Sequence, residues 1–436
     1  MNPAVRIESL DQEGHGVTRL DGKVVFVDGA LTGEQVEISV YRRHPKYDSG
    51  QTVRVLRASP YRATPACPHF NRCGGCPLQH LEASAQVAVK QRALEENLTR
   101  IGKVSADIIA PTIHGPAWGY RHRARLSVRR VDKKGGVLVG FHEKRSSFIT
   151  EMETCPVLHP RVSALILPLR QLIARLSIVD RLPQIEVAVG DRVIALVLRV
   201  LDPPSPADEE LLREFAAAHD IQFWLQPKGP DSAYPFYPLD APRLDFRLSQ
   251  FDVALPFRPT EFTQVNPGIN EALVHRAMHW LAPRPGERIG DFFCGLGNFT
   301  LPIARLGAEV LGLEGNEALV ARARENAHLN GLGRAQLLTD DLFQMTPEKF
   351  AALGPFDKLL IDPPRDGAMA LVKSLPPVQG GIRGLHRIIY VSCNPATLAR
   401  DAEVLCHVQG FHLKAAGVAN MFPHTAHVES IAWFER

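Results

Sequence analysis

Apolar and polar positions follow three different rhythms along the chain. Over residues 1 to about 60 the apolar positions come in short runs at 5–7, 24–27, 36–40 and 52–56, the last alternating with period two. Glycines 14, 16, 22, 29 and 33 punctuate these runs. About five short strands in sixty residues predict a small barrel of OB type. The period then becomes helical over 84–101, with Val87, Leu94, Leu98 and Ile101 on one face, Ser84 as the N-cap and Gly102 as the stop. Strand patterns at 120–128, 137–142, 184–189 and 193–200, with a helix over 207–219, predict a mixed α+β middle. Residues 227–259 are Pro-rich and strand-like. After a helix at 270–281 the rhythm is β-α-β. Strands are expected at 288–293, 309–314, 336–341, 358–362, 387–393 and 427–434, with helices from Phe299 and over 317–330. Such alternation predicts a doubly wound, mostly parallel sheet. Three domains follow: 1–60, 61–260 and 261–436.

Composition sharpens this picture in two places. An apolar fraction of 45% and a charged fraction of 22% are ordinary for a globular protein, and no apolar run is long enough to cross a membrane. The first residues contain no apolar signal-peptide core, so a cytoplasmic protein is expected. The net charge of +3 is small, but residues 115–150 carry nine Lys or Arg against two Asp or Glu. Alternation puts Arg121, Arg123 and Arg125 on one strand face, and Lys133 and Lys134 at the following turn. A polyanion partner is one reading, and a solvated basic surface is the other. In the first domain, Tyr41-Arg42-Arg43-His44-Pro45-Lys46-Tyr47 interleaves bases with aromatics, as single-stranded nucleic-acid binders do. With its strand pattern, this domain resembles the TRAM domain of RNA-modifying enzymes.

Seven cysteines in a cytosolic chain argue against a disulfide framework. Cys67, Cys73 and Cys76 are clustered around Gly74-Gly75, and Cys155 is available as a fourth ligand, ahead of His69. Four sulfurs suit either zinc or an iron–sulfur cluster, and the spacing does not choose between them. Cys393 differs in setting. It ends the apolar run Ile388 to Val391, at the strand tip where open α/β sheets bind ligands. On that run alone, a packed thiol and a nucleophile are equally open.

The turn Asp291-Phe292-Phe293-Cys294-Gly295-Leu296-Gly297 follows a strand but has Thr300 where a dinucleotide site has its third glycine. An acid before the glycines suits the cationic methionine end of S-adenosylmethionine. Glu314, at the next strand end, is placed for ribose hydroxyls, and Asp341 for the adenine amino group. Together they point to a class I, Rossmann-like methyltransferase rather than to three helix caps. In Asp362-Pro363-Pro364-Arg365 an arginine replaces the aromatic that amino-group methyltransferases use, which argues for another acceptor.

These motifs, with Phe262-Thr263-Gln264-Val265-Asn266, Ser392-Cys393-Asn394-Pro395 and the run from Met421 through His424 and His427 to Glu429, resemble those of the RNA uracil-5-methyltransferases. With the barrel and four cysteines, the chain resembles the bacterial branch acting on uracil 1939 of 23S rRNA. The resemblance implies a nucleophile at Cys393 and a general base at Glu429. It implies cofactor contacts at Gln264, Phe293, Asn298, Glu314, Asp341 and Asp362, and a [4Fe-4S] cluster on Cys67, Cys73, Cys76 and Cys155. Without it, Glu429 reads as a solvated carboxylate on an edge strand. A monomer acting on 23S rRNA, with no membrane partner, is expected. The tRNA-directed members are expected to lack barrel and cluster. Phe292 and Pro364 depart from the usual Leu and Ala, and the stretch between Arg365 and Arg387 is slightly long. Two alternatives remain: the same chemistry at another rRNA uracil, or a non-catalytic RNA-binding assembly factor. A zinc-ribbon binder would need zinc at the four cysteines.

Overall fold

The computed structural model describes residues 2–376 and 384–436, so part of the long stretch before Arg387 lies outside the described residues. The N-terminal unit is a six-stranded sheet in the order Ala4–Arg6, Gln35–Arg43, Tyr47–Arg57, Lys23–Asp28, Gly16–Leu20, Ser9–Leu10. Parallel pairing of Lys23–Asp28 with Tyr47–Arg57 curls it around a small core of Val25, Val27, Val36 and Ile38. At its base Glu34 is fully buried and accepts from Arg62 Nε at 2.5 Å and Nη2 at 2.7 Å. The connecting segment is thereby fastened to the barrel. The basic turn carries Arg42, Arg43 and Lys46 exposed, while Tyr41 lies under Arg145 at 4.0 Å.

The central unit is a second six-stranded sheet, ordered Tyr234–Tyr237, Gln222–Gln226, Ile194–Arg199, Gln184–Val189, Arg123–Val131, Gly136–Gly140. Helices Pro160–Arg175 and Pro206–His219 cover it. The first of these is absent from the sequence expectation because Pro168 interrupts its pattern, yet Val162, Leu165, Ile166, Leu169 and Leu172 still form one buried stripe. The arginine face differs from the expected free basic surface. Arg125 is paired with Glu186 at 2.6 Å, and Arg123 donates to the Glu261 carbonyl at 2.8 Å over the Phe257 ring. Arg125 is thus ion-paired and Arg123 is tied to backbone, while Arg121 is the member of the trio that lines a described cavity.

The third sheet runs Ala335–Thr339, Glu309–Glu314, Arg288–Phe292, Lys358–Ile361, Arg387–Ser392, Glu429–Glu435, His412–Ala419, Ile108–Ile109. The first five strands are parallel, as the rhythm predicts. Glu429–Glu435 enters antiparallel between Arg387–Ser392 and His412–Ala419. The strand His412–Ala419 is not among the expected elements, because its Ala- and Gly-rich sequence carries little β propensity. The helix expected at 84–101 forms as Ala83–Arg100. Glu82, not Ser84, sits at its N-cap, and Ile101 is exposed. Its buried face is Gln86, Lys90, Leu94, Asn97 and Leu98. This helix packs on Pro395–His407 of the third unit, and Ile108–Ile109 extends the third sheet. A Cβ at Gly102 would stand 2.6 Å from the Ala399 carbonyl oxygen, so the helix ends where only glycine fits. The hairpin Asp245–Leu248 with Val253–Pro256 likewise shares a core with Leu273, Val274 and Leu281.

Candidate active site

The antiparallel entry of Glu429–Glu435 decides the geometry of the site. Its register pairs Ser392 with Ser430, so one step outward Cys393 and Glu429 emerge side by side at the same sheet edge. The Ser430 hydroxyl donates to the Ser392 carbonyl at 3.1 Å and holds that register. Glu429 is 3% exposed on an interior strand. The solvated-edge reading is therefore overturned: the sheet continues beyond it through His412–Ala419.

Cys393 is half-buried between the strand and helix Pro395–His407. Asn394 caps that helix, accepting from Ala396 N at 3.0 Å, and donates through Nδ2 to the Arg365 carbonyl at 3.2 Å. Thr397 Oγ1 donates to the same carbonyl at 3.1 Å, so the cysteine turn and the Asp362–Arg365 loop are tied together. Burial pushes the Cys393 thiol up to about 11, with Glu429 and Asp362 adding to the rise and Arg365 opposing it. Burial raises Glu429 well above the carboxylate range, and Asp362 adds to this. Asp362 itself is pushed up to about 7 by burial and by Asp291. Acids this crowded hold protons near neutrality. Arg365 also approaches His427, with Nη2 and Nδ1 3.2 Å apart. Sequence reasoning noted Arg365 only as a departure from the amino-methyltransferase motif and gave it no role.

The sign of the Cys393 shift sets a pH dependence. Below a pKa of about 11 the reactive thiolate is the minor form, and its fraction grows about tenfold per pH unit. Iodoacetamide labelling of the Cys393 peptide, followed by mass spectrometry, rises accordingly between about pH 7 and 9. Arg365→Ala slows labelling at each pH. A rate that levels off in this window contradicts the assignment.

The residues expected to contact the cofactor lie at and beside the parallel strand ends. Asp291 is fully buried, accepts from the Thr300 hydroxyl at 2.5 Å and leaves Oδ1 without a partner. Burial, then Glu314, pushes it up to about 7. Gly295 and Gly297 take left-handed φ of 54° and 100°, and Phe293 does so at 67°. Glu314 accepts from Gly295 N at 3.1 Å and Asn316 N at 3.0 Å. Asp341 is exposed and accepts from Phe343 N at 3.0 Å. The Phe343 ring meets Phe293 edge-on at 5.7 Å, an aromatic pair that sequence reasoning missed. Asn298 and Asn270 exchange amide hydrogen bonds at 2.9 and 3.0 Å. Asn270 lies in helix Pro267–Leu281, just after the half-buried Gln264. Strand-end acids at Glu314 and Asp341 and the left-handed turn at Phe293, Gly295 and Gly297 fit a ribose-bearing cofactor.

Cys67, Cys73, Cys76 and Cys155 line one cavity of about 410 Å³. His69 lines it too. Burial, then Cys155 and Cys73, pushes the Cys76 thiol up to about 12, and burial pushes Cys155 up to about 11. Among the described residues no three His, Cys, Asp or Glu converge closely enough to hold a single ion. Backbone contacts brace the walls: Gly74 N donates to the His142 carbonyl at 3.0 Å, and Cys155 N to Ser163 Oγ at 2.9 Å. Arg365, Thr425 and His427 close the far wall. The cavity therefore adjoins the Arg365 loop that is tied to the Cys393 turn. No helix of the described residues is long and apolar enough to cross a membrane.

Comparison with known proteins gives consistent matches. A family described as tRNA (Uracil-5-)-methyltransferase matches residues 244–436, and the TRAM domain matches residues 4–55. The chain is 67% identical to the 23S rRNA (uracil(1939)-C(5))-methyltransferase RlmD of Thiobacillus denitrificans, over 100% of both chains. It is 58% identical to the protein of the same name from Aromatoleum aromaticum, again over 100% of both. The crystal structure of the Pyrococcus abyssi tRNA (uracil-54, C5)-methyltransferase with S-adenosyl-L-homocysteine shares its fold, with a TM-score of 0.75 at 24% identity over 99% of each chain. That match corrects one expectation: a full-length architecture of this kind also occurs in a tRNA-directed enzyme.

Proposed function

The chain belongs to the RNA uracil-5-methyltransferase family with a TRAM domain, and we propose that it methylates C5 of uracil 1939 in 23S rRNA, using S-adenosylmethionine. The observation that carries the chemistry is the register that brings Cys393 and Glu429 out together. Uracil C5 is a poor nucleophile until something adds at C6. Cys393, as thiolate, forms the bond to C6 and sends the electron pair toward C5. Bound S-adenosylmethionine supplies the electrophilic methyl group that C5 takes up. Glu429, in its ionised form, then removes the C5 proton, the C5–C6 double bond re-forms, and the Sγ–C6 bond breaks to return the thiolate. Gln264, Phe293, Asn298, Glu314, Asp341 and Asp362 hold the cofactor in this reading, and the left-handed backbone at Phe293, Gly295 and Gly297 supports it. The target base has to be unstacked for Cys393 to reach C6, which suits a loop or single-stranded RNA.

The four cysteines hold a [4Fe-4S] cluster in this proposal. The four thiols line one cavity and raise one another's proton affinity, which supports a shared group there. When bound, the cluster cross-links the 67–76 loop to Cys155. The protein acts as a cytoplasmic monomer, with domains near 1–60, 61–260 and 261–436, residues 83–113 packing with the last.

One incubation tests the activity. The protein is given unmethylated 23S rRNA fragment and labelled cofactor, and the product is mapped by mass spectrometry. Label at uracil 1939 is expected. Label elsewhere overturns the target, and no label from folded protein overturns the catalytic reading in favour of an assembly factor. Anaerobic purification gives brown protein with iron and sulfide in equal amounts, and Cys76→Ser loses both. Stoichiometric zinc in their place overturns the cluster.

A further inference from the structure

The buried face of helix Ala83–Arg100 is polar where a packing helix has no need to be. Lys90 is 1% exposed, and burial alone, with no acid to offset it, pulls its amine down to about 7. Gln86 is equally buried. For packing alone, methionine or leucine would serve at least as well, since burying an unpaired amine is costly. What the two side chains do provide is direction. Lys90 Nζ donates to Asn420 Oδ1 and to the Phe422 carbonyl, both at 2.8 Å. Gln86 Oε1 accepts from His424 N at 2.8 Å, and its Nε2 lies 3.2 Å from His424 Nδ1.

Both Lys90 partners and the His424 contacts of Gln86 lie in residues 420–428, the turn between His412–Ala419 and Glu429–Glu435; the Gln86 amide also donates to the Leu78 and Leu81 carbonyls at 3.1 and 2.7 Å. Its conformation is strained: His424 is a non-glycine residue at φ 66°. Further contacts come from the same side. Trp118 packs on the His424 ring at 3.9 Å, and Tyr120 Oη donates to the Pro423 carbonyl at 3.0 Å. On the other side Phe422, Thr425 and His427 line the cysteine cavity. The turn is thus held by side chains from far upstream, and it ends on Glu429.

We propose that Gln86 and Lys90 are positioning residues for proton removal, fixing through the 420–425 turn where Glu429 meets the C5 proton. This rests on the reading of Glu429 as the base. Neither residue touches the reacting atoms, so the effect reaches the chemistry through geometry. A displacement of about 1 Å costs a proton transfer up to about 100-fold. Formation of the Cys393–C6 bond and uptake of the methyl group do not need Glu429. A displaced base therefore leaves the methylated adduct waiting for its proton to leave.

The test uses the full-length protein with ordinary uridine-containing 23S rRNA fragment and S-adenosylmethionine. Lys90→Met and Gln86→Leu are compared with wild type and with Glu429→Gln. Denaturing gels read the covalent protein–RNA adduct, and steady-state assays read kcat and KM separately. In both variants kcat falls about 10- to 100-fold, KM for RNA changes little, and the adduct rises from trace toward the level of Glu429→Gln. A fall in kcat without adduct, or an unchanged kcat, overturns the proposal. If one variant does not fold, as judged by circular dichroism and S-adenosylhomocysteine binding, the other decides. If Glu429→Gln itself accumulates no adduct, it is the reading of Glu429 that fails, whatever the two variants do.

Discussion

Cys393→Ala lowers methyl transfer to 23S rRNA by more than about 10⁴-fold while S-adenosylmethionine binding is retained. The size of the loss follows from the uracil ring. Without addition at C6, its C5 has too little electron density to attack a sulfonium methyl, and no neighbouring side chain can take over. Serine at this place would carry a far less acidic hydroxyl. Glu429 and Asp362 are acids that raise the local proton affinity instead of adding to a carbon. RNA carrying 5-fluorouridine makes the result specific. The wild-type protein traps itself on it, because fluorine cannot leave C5 as a proton, and the variant forms no band. Methylation within tenfold of wild type would exclude the covalent route altogether. Cys406→Ala is the matched control, because that thiol is packed on the core around helix Pro395–His407 and reaches no substrate.

Glu429→Gln lowers turnover by about 10² to 10⁴-fold and changes what accumulates. Glutamine keeps the volume of the side chain and its place beside Cys393 but cannot take a proton. The first turnover stops after methyl uptake, and a covalent protein–RNA band appears with ordinary RNA. Burial works in favour of the wild-type reaction here, since a carboxylate whose pKa is raised is a stronger base once ionised. A denaturing gel and a single-turnover methylation assay separate the two effects. Full turnover with no band would assign proton removal to another group, with Asp362 the nearest acid.

Much of the catalytic unit could be read from the chain because its strands are runs of Val, Ile and Leu between obvious turns. Arg288–Phe292, Glu309–Glu314 and Arg387–Ser392 fall within a residue of their expected bounds. His412–Ala419 escaped because alanine and glycine in a buried strand look like nothing in particular. The burial of Glu429 escaped for the same reason: it depends on that unseen strand lying beyond it. Arg123 and Arg125 have the alternation of an exposed basic face, but Glu186 pairs with Arg125 and the Glu261 carbonyl accepts from Arg123, both from segments distant in sequence. The helix at 83–100 was assigned its apolar residues correctly at Leu94 and Leu98. Its polar core positions, Gln86 and Lys90, go against the hydrophobic pattern and become intelligible only with the turn they hold. The nearness of the four-cysteine cavity to Arg365 and His427 follows from tertiary packing that spacing cannot encode.

The helix Ala83–Arg100 and the strand Ile108–Ile109 have one more implication, for modularity. They precede the central sheet in the chain but belong physically to the last one. The catalytic unit is therefore discontinuous in sequence, threaded through its neighbour, and cannot be cut out or grafted as one contiguous segment. A fragment beginning at residue 244, where the family match starts, would strip the packing of Leu94 and Leu98 from helix Pro395–His407 and leave the edge of His412–Ala419 unpaired. Recombination between relatives would have to exchange both pieces together.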